Sequence, residues 1–490
     1  MKKILALLLA CVMIFGLVAC GAKEEAPVEE PKEEAKEEAK EEAKEEAKEE
    51  AAPEEPKEAI EITYACTIGA YLAKLQEKVD EYNAGVGAEK GIFIRLDSYI
   101  NEGSAGYEPL LAAGQYYDII DGGGSQAWCE NGWIADLEEI AKDYPDLQTL
   151  IDAYKPYARE GVGLVEGVMT NFPLEVLPIK MAVNLDLLEK YGCEIPTTWD
   201  ELLAVAEKIS TESGGTDYGY GLTNWSALYR RLTFKATASS NEKFWWDPNT
   251  ETYSFAQYKE PMEAMKKMAD EGWAIGLDDL AIDPIRAQFA EGNVAMFPAP
   301  SYDFAVYTTQ FPCEFNFTFV DMPVYGDTAG KYYGACIERG NNSICLPAFE
   351  AADQAKKDAI VEAFCFLNSD EMNKAIYAVG GIIPIRAELM DGVELEIDEK
   401  LQPIWLALSD TKGYGSLPEY PDGVIVDNLE EGQWGQKYQD VFSAFMHGEC
   451  TFDEAAADCE ERYNAAYQAT KTEGVVDVSR YAYSFEHKAK

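Results

Sequence analysis

Three short stretches of this sequence carry spacings that chemistry could use, and each lacks a group that the chemistry needs. Gly326 to Lys331 has the outline of a phosphate-binding loop but is one residue short, with Tyr332 where a Ser or Thr hydroxyl would meet magnesium, so it reads as a hairpin turn. Asp247, Asn249 and Glu251 imitate the start of a calcium loop, yet Thr252 stands at the obligatory glycine position and Tyr258 where a bidentate glutamate should close the site. Gly103 to Gly106 is a Gly/Ser turn and not a nucleophile elbow. His447 and His487 are the only histidines, which leaves imidazole catalysis or a histidine-built metal site almost no raw material. Beyond Cys11 and Cys20 stand nine cysteines, at 66, 129, 193, 313, 336, 345, 365, 450 and 459. Their number is odd and no CxxC pair occurs, so neither a disulfide framework nor a zinc site is expected. Cys336, Cys345 and Cys365 lie in apolar runs and read as small buried hydrophobes. Asp and Glu total 89, so composition leaves a two-carboxylate glycoside hydrolase open, but spacing singles out no pair. The expectation is a protein with no metal, no cofactor and no catalytic residue.

The ends fix the compartment. Lys2 and Lys3 precede an apolar run from Ile4 to Val18, the order of a secretory leader, and the run is too short for a stable membrane span. It ends in Leu17, Val18, Ala19, Cys20 and Gly21, which resembles a bacterial lipobox, making Cys20 the expected lipidation site. Residues 23 to 58 hold 17 Glu and 7 Lys, with five copies of Lys-Glu-Glu-Ala from Lys32 to Ala51. No core can form from this tract. Like charges at i and i+4 oppose the helix that Ala, Glu and Lys favour, so a solvated, partly helical spacer is expected, with an acidic interaction tail as the rival reading. Of the formal −48, the leader lysines contribute +2 and the spacer −10, leaving −40 on residues 59 to 490. Phosphate backbones demand a basic face, so nucleic acid is excluded as a partner. A body of this length exceeds what one hydrophobic core fills, so two lobes are expected.

The body reads as α/β from end to end. Ile60, Ile62 and Tyr64 have strand period, followed by a helix from Tyr71 to Tyr82 and a strand from Ile92 to Leu96. Leu110 to Gly114 closes another helix, and Tyr117 to Asp121 is a short buried strand running into Gly122, Gly123 and Gly124. Lys180 to Asn184 reads as a strand. Thr198 with Glu201, and Thr451 with Glu454, form capping boxes ahead of helices, and Glu350 to Leu367 has amphipathic helical period.

These pieces resemble the family 1 extracellular solute-binding proteins of ABC importers, among them the maltose-binding proteins. Met181 to Ile209, MAVNLDLLEKYGCEIPTTWDELLAVAEKI, is similar to the family's strand, short helix, Pro-Thr-Trp-Asp-Glu and helix segment. Tyr117 to Leu137, Phe289 to Ser301 (FAEGNVAMFPAPS), Gly380 to Arg386 (GGIIPIR) and Phe445 to Ala457 (FMHGECTFDEAAA) match further family segments in the same order. One departure stands at Pro298 to Tyr302, where the family often carries Trp or another large residue. The resemblance implies a two-lobed periplasmic-binding-protein-like fold of type II with a ligand cleft between lobes. Residues 60–175 plus 324–378 would form one lobe and 176–323 plus 379–490 the other, after a signal peptide (1–20) and the acidic spacer (21–59). Crossovers would fall near 176, 323 and 379.

The same resemblance implies a lipid-anchored, extracellular, monomeric binding protein that captures a sugar or oligosaccharide by lobe closure and delivers it to ABC permease subunits. A cleft for sugar needs aromatic platforms for C–H faces and polar partners for hydroxyls. Carried over by position, the ligand loops would supply Ile68, Gly69, Asp121, Ser125, Asn224, Trp225, Tyr302 and Trp434. For Trp225, Tyr302 and Trp434 the competing role is packing, and for Asp121 it is capping the next helix. Trp245 and Trp246 could edge the cleft, Trp199 and Trp273 belong to helix-packing segments, and Arg386 either faces ligand or pairs with a surface carboxylate, the second being favoured. The rivals are an extracellular carbohydrate-active enzyme, a binder of another small solute, and a spacer-borne adhesin without a closable cleft.

Overall fold

The computed structural model describes residues 59–99, 103–121, 126–224, 244–324, 335–340, 342–411, 415–416 and 421–480. Two sheets of a mixed α/β fold organise this chain, each with its own hydrophobic core. The first is built on β1 (Ile60–Cys66), whose Ile62, Tyr64 and Cys66 are buried at period two. β2 (Ile92–Ser98) lies parallel to it, from Ile60 opposite Ile92 to Cys66 opposite Ser98, and β3 (Ile119–Asp121) lies parallel on its other side. The late strand β10 (Asn342–Ile344) closes the edge antiparallel, giving the order β10-β3-β1-β2. Helix α1 (Leu72–Ala84) turns Leu75, Val79 and Tyr82 into this core, to which α2 (Pro145–Tyr154) adds Leu147 and Ile151. The amphipathic stretch from Glu350 to Leu367 proves to be two helices. A short one, Leu346–Ala351, ends at extended Ala352, and Asp353 restarts the chain as α5 (Gln354–Leu367) by accepting from the Lys356 N–H at 2.9 Å.

The second sheet centres on β4 (Pro173–Asn184), twelve residues buried nearly throughout. Such continuous burial marks a strand covered on both faces. Its first half pairs antiparallel with β9 (Ala335–Gly340), and its second half lies between β7 (Val294–Pro300) and β8 (Phe317–Asp321). Sequence pattern shows only Lys180 to Asn184 because Pro173 and Pro178, which cannot donate to a ladder, interrupt the strand signature. β5 (Tyr218–Gly221), β6 (Ala274–Ile275) and β11 (Gly415–Ser416) complete the order β6-β5-β7-β4-β9-β11.

Helix α3 (Trp199–Glu212) begins at the expected capping box. Thr198 Oγ1 accepts from the Glu201 N–H at 3.2 Å, while the Glu201 carboxylate accepts from the N–H groups of Thr197 and Thr198. Those backbone donors hold the Glu201 carboxyl below its usual range, and the Thr451 N–H does the same for Glu454 at the start of the terminal helix α7 (Phe452–Thr472). α3 lies so close to β5 that a Cβ on Gly219 would sit 2.1 Å from Ala206 Cα. Trp245 and Trp246, which could have edged a cleft, are instead sealed in the second core at 1% and 0% exposure, Trp245 stacked 3.8 Å from Phe244 and Trp246 5.8 Å from Tyr467. Trp199 is likewise core. Among the described residues no helix is long and apolar enough to cross a membrane.

One hairpin is built against local preference. Strands Gly163–Val165 and Val168–Met169 pair through Val165 and Val168, leaving a two-residue turn in which Glu166 (φ 51°) and Gly167 (φ 80°) are both left-handed. Turns of this shape favour Asn or Gly at the first position. Glu166→Asn is therefore expected to stabilise the protein by about 1 kcal/mol. The urea midpoint should rise with an unchanged slope; a lower midpoint would show that the Glu166 side chain is needed there.

Candidate functional site

In open α/β sheets ligands meet the chain beyond the carboxyl ends of strands. Two such ends hold most of the residues singled out from sequence. At the first sheet, β1 runs into Ile68 and Gly69 while parallel β3 ends in Asp121. Asp121 is 2% exposed, and its Oδ2 accepts from the Thr67 N–H at 2.9 Å and the Thr67 hydroxyl at 2.7 Å, which binds the two strand ends together. The Ile68 side chain is in the first core, so this loop can offer a ligand backbone at Ile68 and the exposed Gly69. Ser125, Trp225 and the lipidation candidate Cys20 lie outside the described residues.

Behind this end stands an aromatic cluster that the sequence reading missed. Tyr107 packs edge-on against Tyr99 (5.4 Å) and Trp128 (5.9 Å), Trp128 meets Trp133 (6.3 Å), and the Tyr99 and Tyr117 hydroxyls share a hydrogen bond of 2.6 Å. The Tyr107 hydroxyl donates to the Asp121 carbonyl, and the Trp128 Nε1–H donates to Glu108 at 3.1 Å. Burial raises the Tyr107 phenol well above its ordinary value. The available signal was the density of Tyr and Trp between positions 99 and 133 on both sides of the Asp121 loop.

At the second sheet, β5 and β7 are parallel, so Asn224 and Tyr302 follow strands that end in the same direction. The Asn224 N–H donates to the Asp279 carbonyl at 2.8 Å, and its Oδ1 accepts from the Ser443 hydroxyl at 2.8 Å, on helix α6 (Tyr438–Met446). Half-buried Tyr302 has the Arg286 guanidinium 5.7 Å from its ring centre. Arg286, on α4 (Asp283–Ala290), donates from Nη1 to Asp283 at 3.0 Å and from Nη2 to fully buried Asp303. Burial pushes the Asp303 carboxyl up to about 6, against the pull of the Arg286 charge, while Asp303 and Tyr302 help to hold Arg286 above its ordinary value against the burial that opposes it. Trp434, just ahead of α6, is half-buried and packs on the second core.

Arg386 takes the favoured role. It pairs with Asp370 at 2.6 Å and Glu388 at 3.0 Å and covers the Tyr154 ring. The Asp247 turn is a turn: its carboxylate accepts from the Asn249 N–H at 2.8 Å, and Glu251 accepts from the Tyr467 hydroxyl at 2.7 Å. Among the described residues no group of three or more His, Cys, Asp or Glu is placed to hold a metal. Among the described residues Cys129, Cys193, Cys313, Cys345, Cys365, Cys450 and Cys459 are free thiols, and burial raises several, Cys313 and Cys365 to about 12.

A family model described as bacterial extracellular solute-binding protein matches residues 78–403. The fold is that of the two-lobed solute-binding proteins. The GacH receptor of Streptomyces glaucescens, solved unliganded and with acarbose, is 16% identical with a TM-score of 0.62, over 84% of this chain and 99% of that one. Maltose-bound MalE3 of T. maritima is 16% identical with a TM-score of 0.62, over 85% and 100%. The ABC substrate-binding protein Lmo0181 of Listeria monocytogenes, in complex with cycloalternan, is 17% identical with a TM-score of 0.59, over 85% and 100%.

Proposed function

Because this chain belongs to the bacterial extracellular solute-binding proteins, we propose that it captures a sugar or oligosaccharide between its lobes and delivers it to the permease of an ABC importer. One observation carries the reading: two sheets with separate cores, joined through β4, each present candidate polar and aromatic side chains beyond their strand ends. Acarbose, maltose and cycloalternan in the three relatives support a saccharide. Closure shifts the population to a compact form that the permease recognises, and no covalent chemistry is required.

The lobes in this reading are residues 60–175 with 324–378 and 176–323 with 379–490, β9 being laddered to the shared strand β4. Ligand contacts fall to Gly69, Ser125, Asn224, Trp225, Tyr302 and Trp434, with Ile68 and Asp121 framing the first loop. The protein acts as a monomer held outside the cell by lipid on Cys20, with residues 21–59 as spacer.

Thermal shift across maltose, maltotriose, stachyose, a peptide and a polyamine tests this. One saccharide at a hundredfold excess over its Kd should add about 2.7 kcal/mol of stability and be recovered intact. A shift with the peptide or polyamine alone would remove the sugar assignment, and release of reducing ends would make the protein an enzyme.

A further inference from the structure

The loops after β5 and β6 are joined more tightly than two strand ends require. Beyond the ladder, the Leu222 N–H donates to the Ile275 carbonyl at 2.8 Å, and the Asn224 N–H to the Asp279 carbonyl at 2.8 Å. The Thr223 hydroxyl reaches the carbonyls of both Asp279 (2.8 Å) and Ala281 (3.0 Å). Gly276, with φ +94°, permits this approach, since a Cβ there would lie 2.3 Å from the Leu222 carbonyl oxygen. Between the two anchored carbonyls, Leu280 stands 77% exposed.

Helix α6 clamps both loops from one face. Ser443 and His447 are one turn apart, and the Ser443 hydroxyl donates to Asn224 Oδ1 at 2.8 Å. His447 sits with Nδ1 2.7 Å from the Ser443 carbonyl and Nε2 3.0 Å from Asp278 Oδ1, so the same turn of helix holds the neighbouring loop. The opposite face of α6, through Val441, Phe442 and Phe445, is fixed in the second core. An Asn side chain has one acceptor and two donors at its tip. With the acceptor taken by Ser443, the half-buried amide keeps its two Nδ2 donors for another partner.

We propose that Ser443 and His447 are positioning residues for the ligand, locking the 222–224 and 276–282 loops so that Asn224 presents Nδ2 donors beside the Leu280 side chain. That pairing of donors with an apolar surface suits a saccharide, whose hydroxyl and ether oxygens alternate with C–H faces. The inference rests on Asn224 being a ligand residue, as the proposed function holds.

Two measurements on the protein test it: calorimetric titration with maltotriose, and the side-chain amide signals of Asn224, identified by their loss in N224D. S443A should weaken maltotriose three- to tenfold, about the worth of one hydrogen bond, and shift the Asn224 signals. S443T keeps the hydroxyl and should restore both to within about twofold of the starting protein. N224D still satisfies Ser443 but has no donors, and should weaken binding more than about tenfold. All three should keep their melting temperature to within about 4 °C, since the clamp orients one half-buried side chain and its loss costs about one hydrogen bond. Unchanged Asn224 signals in S443A, or unchanged affinity there while N224D loses it, would overturn the proposal. If the unaltered protein gives no heat with maltotriose, the sugar reading fails for that ligand, and the amide signals alone decide whether Ser443 positions Asn224.

Discussion

Asp303→Ala is expected to cost about 3–5 kcal/mol, because it leaves the Arg286 guanidinium buried beside an empty space instead of a carboxylate. Arg286 is 8% exposed and Asp303 is fully buried, so water can reach neither group readily. Asp283 still faces Arg286 Nη1, but from a largely exposed position. Urea unfolding at pH 7 measures the loss, and a change below about 1 kcal/mol would show that the pair is not desolvated as described. Replacing both residues, Arg286→Met with Asp303→Leu, should cost less than the single change, since paired buried charges are often exchangeable for packed apolar groups.

The pair also has a pH signature. The folded Asp303 carboxyl lies at about 6, above the ordinary value near 3.9 that it takes when unfolded. The folded state therefore holds a proton more tightly, and this group's stabilisation is complete below about pH 4 and lost as pH rises through 6, on the order of 3 kcal/mol. Glu201 and Glu454 have the opposite sign, with stability lost as pH falls through their lowered folded values. Subtracting the profile of Asp303→Asn from that of the unaltered protein isolates the Asp303 contribution, and a difference that stays flat between pH 4 and 6 would contradict it.

Trp246→Ala should cost a similar 3–5 kcal/mol, since it removes one of the largest fully buried side chains and opens a cavity among Tyr253 and Tyr467. Ligand affinity should not change, because the ring is sealed within the core. Both quantities come from urea unfolding with and without the saccharide found by thermal shift. A fall in affinity with little loss of stability would return Trp246 to the cleft wall.

What was legible in the sequence was what local chemistry determines. The capping boxes at Thr198 and Thr451 are short-range patterns, and both helices begin where those residues place them. The period-two burial of β1 was visible for the same reason. The first half of β4 was hidden by Pro178, and the break at Ala352 by an amphipathic period that continues across it. Asp121 was expected at the end of a short buried strand and is the last residue of β3, but its bond to Thr67 joins residues 54 apart in the chain. Ser443 and Asn224 are 219 positions apart, and nothing near either residue announces the other. The partners of candidate ligand side chains are set by how distant segments pack, which a local pattern cannot encode.

β4 has a mechanical consequence. Residues 175–178 are laddered to β9 and residues 179–184 to β7 and β8, and one ladder takes over where the other stops. In the lobe closure proposed above, rotation at this crossing would not swing on slack chain. It would be absorbed as twist along a paired ribbon, so β4 would act in that closure as a torsion bar with a short travel.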